Sequence, residues 1–171
     1  MRASLFPDAL AKRARALIDR CRASGLRLAS AESCTGGLIA ALLTEIPGSS
    51  DVFERGFVTY SNAAKQELLG VAAATLAAHG AVSEATAREM AAGALSRSHV
   101  QIAVSVTGIA GPGGGSAAKP VGLVYFACAG PNGRLVALER RFGDLGRPAI
   151  RTLAVSQALE LLKAAADSLR A

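Results

Sequence analysis

The segment from Val100 to Val106 constrains the fold of this chain more than any other feature. It is mostly apolar and rich in β-branched residues, which is typical of a central strand covered on both faces. Segments in which apolar residues recur at helical spacing lie before and after it. This alternation of helix and strand predicts helices packed on both faces of one sheet.

The remaining elements follow from the same periodicities and from Gly, Pro and Asn turn signals. The predicted helices are Asp8–Ala23, Leu38–Ile46, a helix capped by Ser61 or Asn62 that runs to Leu69, residues 71–79, Ser83 to about Arg97, and about Pro148 to Leu169. The predicted strands are Leu26–Ala31, Gly56–Tyr60, Val100–Val106, and a hairpin of Val121–Ala129 and Leu135–Phe142 around Pro131-Asn132-Gly133. Together they predict one three-layer α/β/α domain over residues 1–171, with a mixed, mostly parallel sheet.

Composition argues against several functional classes. No apolar run approaches the ~20 residues that a membrane span requires, and the first residues lack the apolar stretch of a signal peptide, so we expect a cytoplasmic protein without a membrane partner. The three cysteines include no CxxC pair, which argues against a disulfide framework. The two histidines lie near neither a cysteine nor each other, so we expect no metal site.

The net charge of +6 is compatible with binding to nucleic acid. The arginines are dispersed over the first helix, residues 134–141 and the last helix, and only 4% of residues are aromatic. We therefore expect no nucleic-acid partner. A smaller anionic ligand, such as one carrying a single phosphate, suits this charge equally well.

A polar turn follows the first predicted strand, in Ala31-Glu32-Ser33-Cys34-Thr35-Gly36-Gly37. A small polar residue at a tight strand-to-helix turn is well presented as a nucleophile, and N–H groups at the helix start can stabilise an oxyanion. Ser33 is therefore a candidate nucleophile, although the same position equally suits a helix cap. Cys34 is a rival nucleophile, but without a nearby histidine a cysteine is more often a small buried hydrophobic residue.

Lys65 is the candidate base for a serine hydroxyl. It is one of four lysines among 19 basic residues, and a desolvated lysine can lose its proton whereas an arginine effectively cannot. Tyr60, at the end of the second predicted strand, could share that proton. Taken alone, Lys65 equally suits a solvated helix position and Tyr60 a half-buried anchor.

A glycine-rich loop, Thr107 to Gly115, follows the central strand. Glycines let backbone amides approach an anion closely, and Thr107 could donate to a substrate carbonyl or phosphate. The loop matches neither the P-loop nor the dinucleotide-binding pattern, so a flexible connector explains it equally well.

Taken together, these segments match the motifs of one family. The motifs are Ala31–Gly37, Gly48-Ser49-Ser50, Phe53–Asn62 with Lys65, His79–Ser83, Thr107–Pro112 with Gly114-Gly115-Ser116, and Lys119–Gly122. They occur in the family's order over about residues 8–165, and on them the chain resembles the CinA carboxy-terminal family, the nicotinamide-nucleotide amidases. It resembles the stand-alone form, which has no additional amino-terminal domain.

The resemblance implies a fold like that of anticodon-binding domains, deamidation of nicotinamide mononucleotide to nicotinate mononucleotide and ammonia, and no cofactor. By position, Ser33 would be the nucleophile, Lys65 its base and Tyr60 a helper in proton transfer. The oxyanion would be held by backbone amides of Cys34, Thr35 and Gly36, and the nucleotide pocket would be lined by Thr107, Gly108 and Gly111.

The family's Gly-Asp-Arg motif is altered here to Gly143-Asp144-Leu145-Gly146-Arg147. Arg147 stands four residues before Arg151, as the family's arginine does, and Arg147 is predicted to take the place of the family's arginine at the substrate.

Two alternatives to this function remain: a non-catalytic binding module of the same fold, and an amidase for another carboxamide. The apolar hairpin also suggests a homo-oligomer.

Overall fold

A computed structural model describes residues 5–169 of the chain. The helices are α1 (Asp8–Ala23), α2 (Leu38–Thr44), α3 (Asn62–Leu69), α4 (Ala73–His79), α5 (Glu84–Ser96) and α6 (Arg147–Ser168), with a 3-10 turn at Ser49–Asp51. The strands are β1 (Leu28–Glu32), β2 (Phe53–Val58), β3 (Ile102–Gly108), β4 (Leu123–Ala129) and β5 (Leu135–Arg141).

The five strands form one mixed sheet in the order β2-β1-β3-β4-β5. β1 pairs in parallel with both β2 and β3, whereas β4 pairs antiparallel with β3 and β5. Four strands therefore point one way and β4 points the other. The predicted central strand is confirmed, because β3 lies in the middle of the sheet and its first six residues are buried.

Helices cover both faces of the sheet, as the alternating pattern predicts. On one face α1, α2 and α6 pack over the alternate residues of β3 that include Val104 and Val106. On the other face α3, α4 and α5 lie over Ala29, Ala31 and Ala103, whose small side chains allow close approach of helix to sheet. The predicted three-layer α/β/α architecture is confirmed.

Several strand boundaries differ from the prediction, and those of β1 and β2 bear on the site. β1 runs on to Glu32, which hydrophobicity alone assigns to the turn, and β2 begins at Phe53 and stops at Val58. β2 is an edge strand, where Glu54 and Arg55 can keep their charged groups in contact with each other and with solvent. Because charged residues are tolerated there, the first half of β2 lacks the apolar run from which a strand is predicted.

The carboxyl ends of the three parallel strands meet at one edge of the sheet. Just beyond β1, the N–H of Ser33 donates to the carbonyl of Val106 in β3 at 2.9 Å. Just beyond β2, the N–H of Thr59 donates to the carbonyl of Glu32 at 2.9 Å. Ligands in open α/β sheets bind where such strand ends meet, and all three polar segments that the sequence singles out begin here.

The buried carboxylate of Glu32 fixes the turn between β1 and α2. It is fully buried and accepts hydrogen bonds from the Ser30 hydroxyl at 3.1 Å and from the N–H groups of Gly37, Ile39 and Ala40 at 3.1, 3.0 and 2.9 Å. These three amides belong to the first turn of α2, where intrahelical acceptors are lacking. Glu32 therefore holds the start of α2 against the end of β1.

Among residues 5–169 no helix is both long enough and apolar enough to cross a lipid bilayer. The longest, α6, has 22 residues and carries charged side chains along its length.

Replacing Glu32 with Gln tests this buried contact. An amide offers one acceptor oxygen and turns an NH₂ group toward backbone donors, so charge-assisted bonds are lost inside the protein. We expect the free energy of unfolding, measured by urea denaturation, to fall by about 2–4 kcal/mol. The matched control is Glu84→Gln, in the first turn of α5, where the side chain is 55% exposed and the loss should stay below about 0.5 kcal/mol. Equal losses in both variants would contradict the assignment.

Candidate active site

Ser33 and Lys65 meet beyond the carboxyl ends of β1 and β2. The Nζ of Lys65 lies 3.0 Å from the Oγ of Ser33 and donates to the carbonyl oxygen of Thr59 at 2.8 Å. Ser33 is 8% exposed and Lys65 only 1%. The convergence that sequence spacing cannot reveal is present in the fold, and it places the lysine amine within hydrogen-bonding distance of the Ser33 hydroxyl oxygen.

The local structure of α3 explains how Lys65 reaches this position. Ser61 caps the helix, as predicted, by accepting from the N–H of Ala64 at 3.0 Å. Helix α3 packs tightly on α5 at Gly93, where a Cβ atom would lie 1.9 Å from the carbonyl oxygen of Leu69. This close approach holds the inward face of α3, and Lys65 with it, against the sheet edge.

Burial sets the electrostatics of Lys65. In the part of the chain that the structure describes, no carboxylate lies within 4.0 Å of its ammonium group. Desolvation disfavours the charged form, and it lowers the pKa of Lys65 below the ordinary lysine value. A lysine with a lowered pKa more readily holds the free electron pair that a general base needs.

Tyr60, Gly111 and Arg147 form a second group at the same edge. Arg147, the first residue of α6, donates through Nη2 to the Tyr60 hydroxyl at 2.9 Å and through Nη1 to the Gly111 carbonyl at 2.9 Å. Tyr60 is 60% exposed and directly follows Thr59, the partner of Lys65. Arg147 therefore connects the end of β2 to the glycine-rich loop, with part of its guanidinium open to solvent.

Arg151 lies one turn further along α6 and contacts the turn that follows Ser33. Its Nε donates to the carbonyl oxygen of Cys34 at 3.1 Å and its Nη2 to that of Thr35 at 2.9 Å. The two arginines of α6 thus have different partners. Arg147 is the one placed on the glycine-rich loop.

The available oxyanion donors differ from the expectation. The N–H of Gly36 donates to the Ser33 carbonyl at 3.0 Å, and the helix-start N–H groups are occupied by Glu32. Within residues 5–169, the N–H groups of Cys34 and Thr35 have no acceptor in another residue. Of the three amides expected from the sequence, these two remain free to bind a ligand oxygen.

The other candidate residues occupy less reactive environments. Burial raises the pKa of the Cys34 thiol to about 12, so the thiolate is scarce near neutral pH and Cys34 is a poor nucleophile. Thr107 is fully buried, and its hydroxyl donates to the Ala81 carbonyl at 2.7 Å. Gly108 ends β3 so close to β4 that a Cβ would lie 2.8 Å from the Leu123 carbonyl oxygen.

An open groove of about 590 Å³ lies between the glycine-rich loop and the connection from β5 to α6. Its lining includes Gly113–Ser116, Arg141 and Asp144. Gly111 and Arg147 flank these two segments in the chain. The groove is glycine-rich, carries the charged side chains of Arg141 and Asp144, and is large enough for a nucleotide-sized ligand.

Sequence reasoning missed the roles of Glu32 and Arg151. An acidic residue between an apolar strand and a Gly-Gly helix start was a usable signal for Glu32, since a carboxylate there can cap the helix. No local signal marks Arg151, because its partners lie 116 and 117 residues away.

These contacts define what the site can do chemically. It presents a serine hydroxyl, a lysine whose proton affinity is reduced, and two free N–H groups on the turn that follows the serine. That combination suits attack on an acyl carbon followed by stabilisation of the resulting oxyanion. No group of three or more His, Cys, Asp or Glu side chains within residues 5–169 is arranged to hold a metal ion.

Comparison with known proteins finds relatives over most of the chain. The chain is 55% identical over 140 residues to a nicotinamide-nucleotide amidohydrolase PncC of Enterobacter agglomerans, covering 81% of this chain and 84% of that protein. It is 52% identical over 142 residues to the PncC of Escherichia coli K12, covering 82% and 85%. A CinA-like protein of Syntrophobacter fumaroxidans is 53% identical over 144 residues, but the chain spans only 34% of its length.

The fold is shared with solved structures as well. The competence/damage inducible protein CihA of Agrobacterium tumefaciens superposes with a TM-score of 0.93 at 56% identity, covering 95% of this chain and 98% of that one. The sequence model of the CinA C-terminal domain matches residues 10–166. The chain belongs to the CinA C-terminal domain family.

Proposed function

We propose that this protein is an amidohydrolase that converts nicotinamide mononucleotide to nicotinate mononucleotide and ammonia, with Ser33 as nucleophile and Lys65 as base. The observation that carries the proposal is the 3.0 Å separation of Ser33 Oγ and Lys65 Nζ in a buried position. The amidohydrolase activity named for its PncC relatives supports the choice of substrate.

In the first half of the reaction, neutral Lys65 takes the hydroxyl proton as Ser33 Oγ bonds to the carboxamide carbon. The Thr59 carbonyl accepts one N–H of the amine, and in the reacting state the nitrogen's electron pair faces the Ser33 hydroxyl. The carbonyl oxygen of the substrate becomes an oxyanion beside the free N–H groups of Cys34 and Thr35. One such donor is typically worth about 3–4 kcal/mol of activation barrier.

The second half releases the two products. Lys65 returns its proton to the amide nitrogen, the carbon–nitrogen bond breaks, and ammonia leaves an acyl ester on Ser33. Lys65, neutral again, accepts a proton from water as the water oxygen attacks the ester carbon. The carbon–oxygen bond to Ser33 then breaks, the serine regains its proton, and nicotinate mononucleotide departs.

Arg147 is the residue that we assign to the phosphate of the substrate. Its guanidinium is partly exposed and donates to the Tyr60 hydroxyl and to the carbonyl of Gly111, the residue just before the stretch of the glycine-rich loop that lines the groove. Arginine binds phosphate through paired, charge-assisted hydrogen bonds. To the exposed Tyr60 hydroxyl, which accepts a hydrogen bond from Arg147, we assign assistance in proton transfer at the substrate amide.

Two further proposals concern the protein's setting. We propose a homo-oligomer, since the edge strand β5 leaves Val136 44% exposed and one side of the sheet unpaired. We also propose a cytoplasmic location, which the three free cysteines support because such thiols are typical of reducing compartments.

Ammonia release by Ser33→Ala tests the proposed activity. Without the nucleophile, release from nicotinamide mononucleotide should fall at least about 1,000-fold. The matched control is Ser96→Ala, in the exposed last turn of α5, where the rate should be unchanged. The unaltered protein should also prefer the mononucleotide over nicotinamide riboside by about 10- to 100-fold, the worth of one charge-assisted contact.

The same assay distinguishes the alternatives. A non-catalytic binding module would release no ammonia from any of the compounds. An amidase for another carboxamide would show no preference for the phosphorylated substrate. Full activity in Ser33→Ala would rule out the serine mechanism.

Replacing Lys65 with Met separates the catalytic role of the amine from its structural role. Met fills a volume similar to that of Lys. The desolvation free energy that is no longer spent on a buried amine offsets the loss of the hydrogen bond to Thr59. We expect Tm to change by no more than about 4 °C, while ammonia release falls at least about 100-fold. Lys163→Met, at a 61% exposed position of α6, should leave the rate unchanged. Retained activity in Lys65→Met would exclude Lys65 as the base.

A further inference from the structure

We propose that Arg151 is a positioning residue that orients the oxyanion-binding amides through the carbonyl groups of Cys34 and Thr35. The proposal rests on the function proposed above. It assigns to the second arginine of α6 a task distinct from phosphate binding.

The argument starts from the planarity of the peptide bond. In a trans peptide the C=O and the next residue's N–H point in opposite directions. The Cys34 carbonyl and the Thr35 N–H belong to one such plane, and Arg151 Nε holds that carbonyl at 3.1 Å. Fixing the carbonyl on the arginine side therefore directs the Thr35 N–H away from it, where no other residue accepts it.

The two neighbouring peptide planes are fixed as well. Arg151 Nη2 holds the Thr35 carbonyl at 2.9 Å, and the N–H of the same plane, that of Gly36, donates back to the Ser33 carbonyl at 3.0 Å. That bond in turn fixes the plane to which the Cys34 N–H belongs. The Thr35 carbonyl also accepts from the N–H of Leu38 at 3.2 Å. The guanidinium, together with the start of α2, therefore fixes the orientation of the turn that carries both free amides.

Charge strengthens the same effect. In the described residues, no carboxylate lies within 4.0 Å of the Arg151 guanidinium. Its positive charge therefore acts directly on the two carbonyl oxygens. A cation at a carbonyl oxygen polarises the peptide group and makes the N–H on its other end a stronger donor.

Packing keeps the guanidinium in place. Gly36 has a φ of +59°, and a Cβ there would come within 3.3 Å of Arg151 Nη2. Gly36 therefore has a backbone conformation that favours glycine, at the position where Arg151 packs against the turn. Helix α6 carries Arg151 on a rigid element rather than on a loop, which suits a residue whose role is orientation.

The test compares Arg151→Ala and Arg151→Lys with Arg13→Ala. Arg13 is the matched control because it is an arginine that connects α1 to α6, through Ser156 and Glu160, without contacting the turn that follows Ser33. Two rates are measured for each variant: steady-state hydrolysis of nicotinamide mononucleotide, and inactivation by an alkyl fluorophosphonate. In the second reaction Ser33 Oγ bonds to phosphorus, its proton passes to Lys65 and fluoride leaves, with the phosphoryl oxygen bound by the same amides.

We expect Arg151→Ala to lower kcat and the inactivation rate together by about 10- to 100-fold, with KM within threefold of its original value. Both rates of Arg151→Lys should lie between those of the unaltered protein and Arg151→Ala, because a lysine bonds to one carbonyl at a time. Added guanidinium should restore part of the rates lost in Arg151→Ala. Arg13→Ala should change neither rate, even if it lowers Tm.

Unchanged kcat and inactivation in Arg151→Ala would overturn the proposal, as would a loss confined to KM, which would instead indicate substrate binding. Should the unaltered protein release no ammonia from the mononucleotide, the proposed function fails. The fluorophosphonate rates still decide the role of Arg151, because that reaction needs no nucleotide.

Discussion

The burial of Lys65, with no carboxylate of residues 5–169 within 4.0 Å of its ammonium group, is the constraint on which the rest of the site depends. A lysine that remains charged in such a position loses hydration that two hydrogen bonds replace only in part, so burial favours the neutral amine. The surroundings accommodate that form, since the Thr59 carbonyl accepts one N–H and the Ser33 hydroxyl lies at 3.0 Å. In the proposed mechanism, desolvation of this kind produces the base, a task that many serine hydrolases give to a histidine.

The turn around Ser33 is held from both sides of its backbone. Glu32 binds N–H groups at the start of α2, and Arg151 binds carbonyls just before it. An anion on the amides and a cation on the carbonyls stabilise one turn conformation, and they leave only two N–H groups unoccupied. Pre-orientation of this kind lowers a barrier because no dipole has to reorient when the oxyanion forms.

Much of this structure could be predicted from the sequence, and the limits have a physical cause. Helices α1 and α3 and the central strand follow from local periodicity and caps, which act over a few residues. The resemblance to the CinA family brought Ser33, Tyr60, Lys65 and Arg147 together as candidates. The start of β2 was not predicted because an edge strand tolerates charged residues. The contacts of Glu32 and Arg151 were not predicted because a charged side chain in a sequence does not show which backbone groups it will contact.

The most direct test of the central claim is a titration of the lysine side chains followed by NMR, in protein carrying ¹³C at lysine Cε. The chain has four lysines, and the Lys65 resonance is the one missing from Lys65→Met. Since burial lowers the pKa of Lys65, its resonance should titrate at a clearly lower pH than the lysine of an unstructured model peptide. A Lys65 resonance that titrates together with that peptide would contradict the account, because the amine would then remain protonated where the reaction needs it neutral.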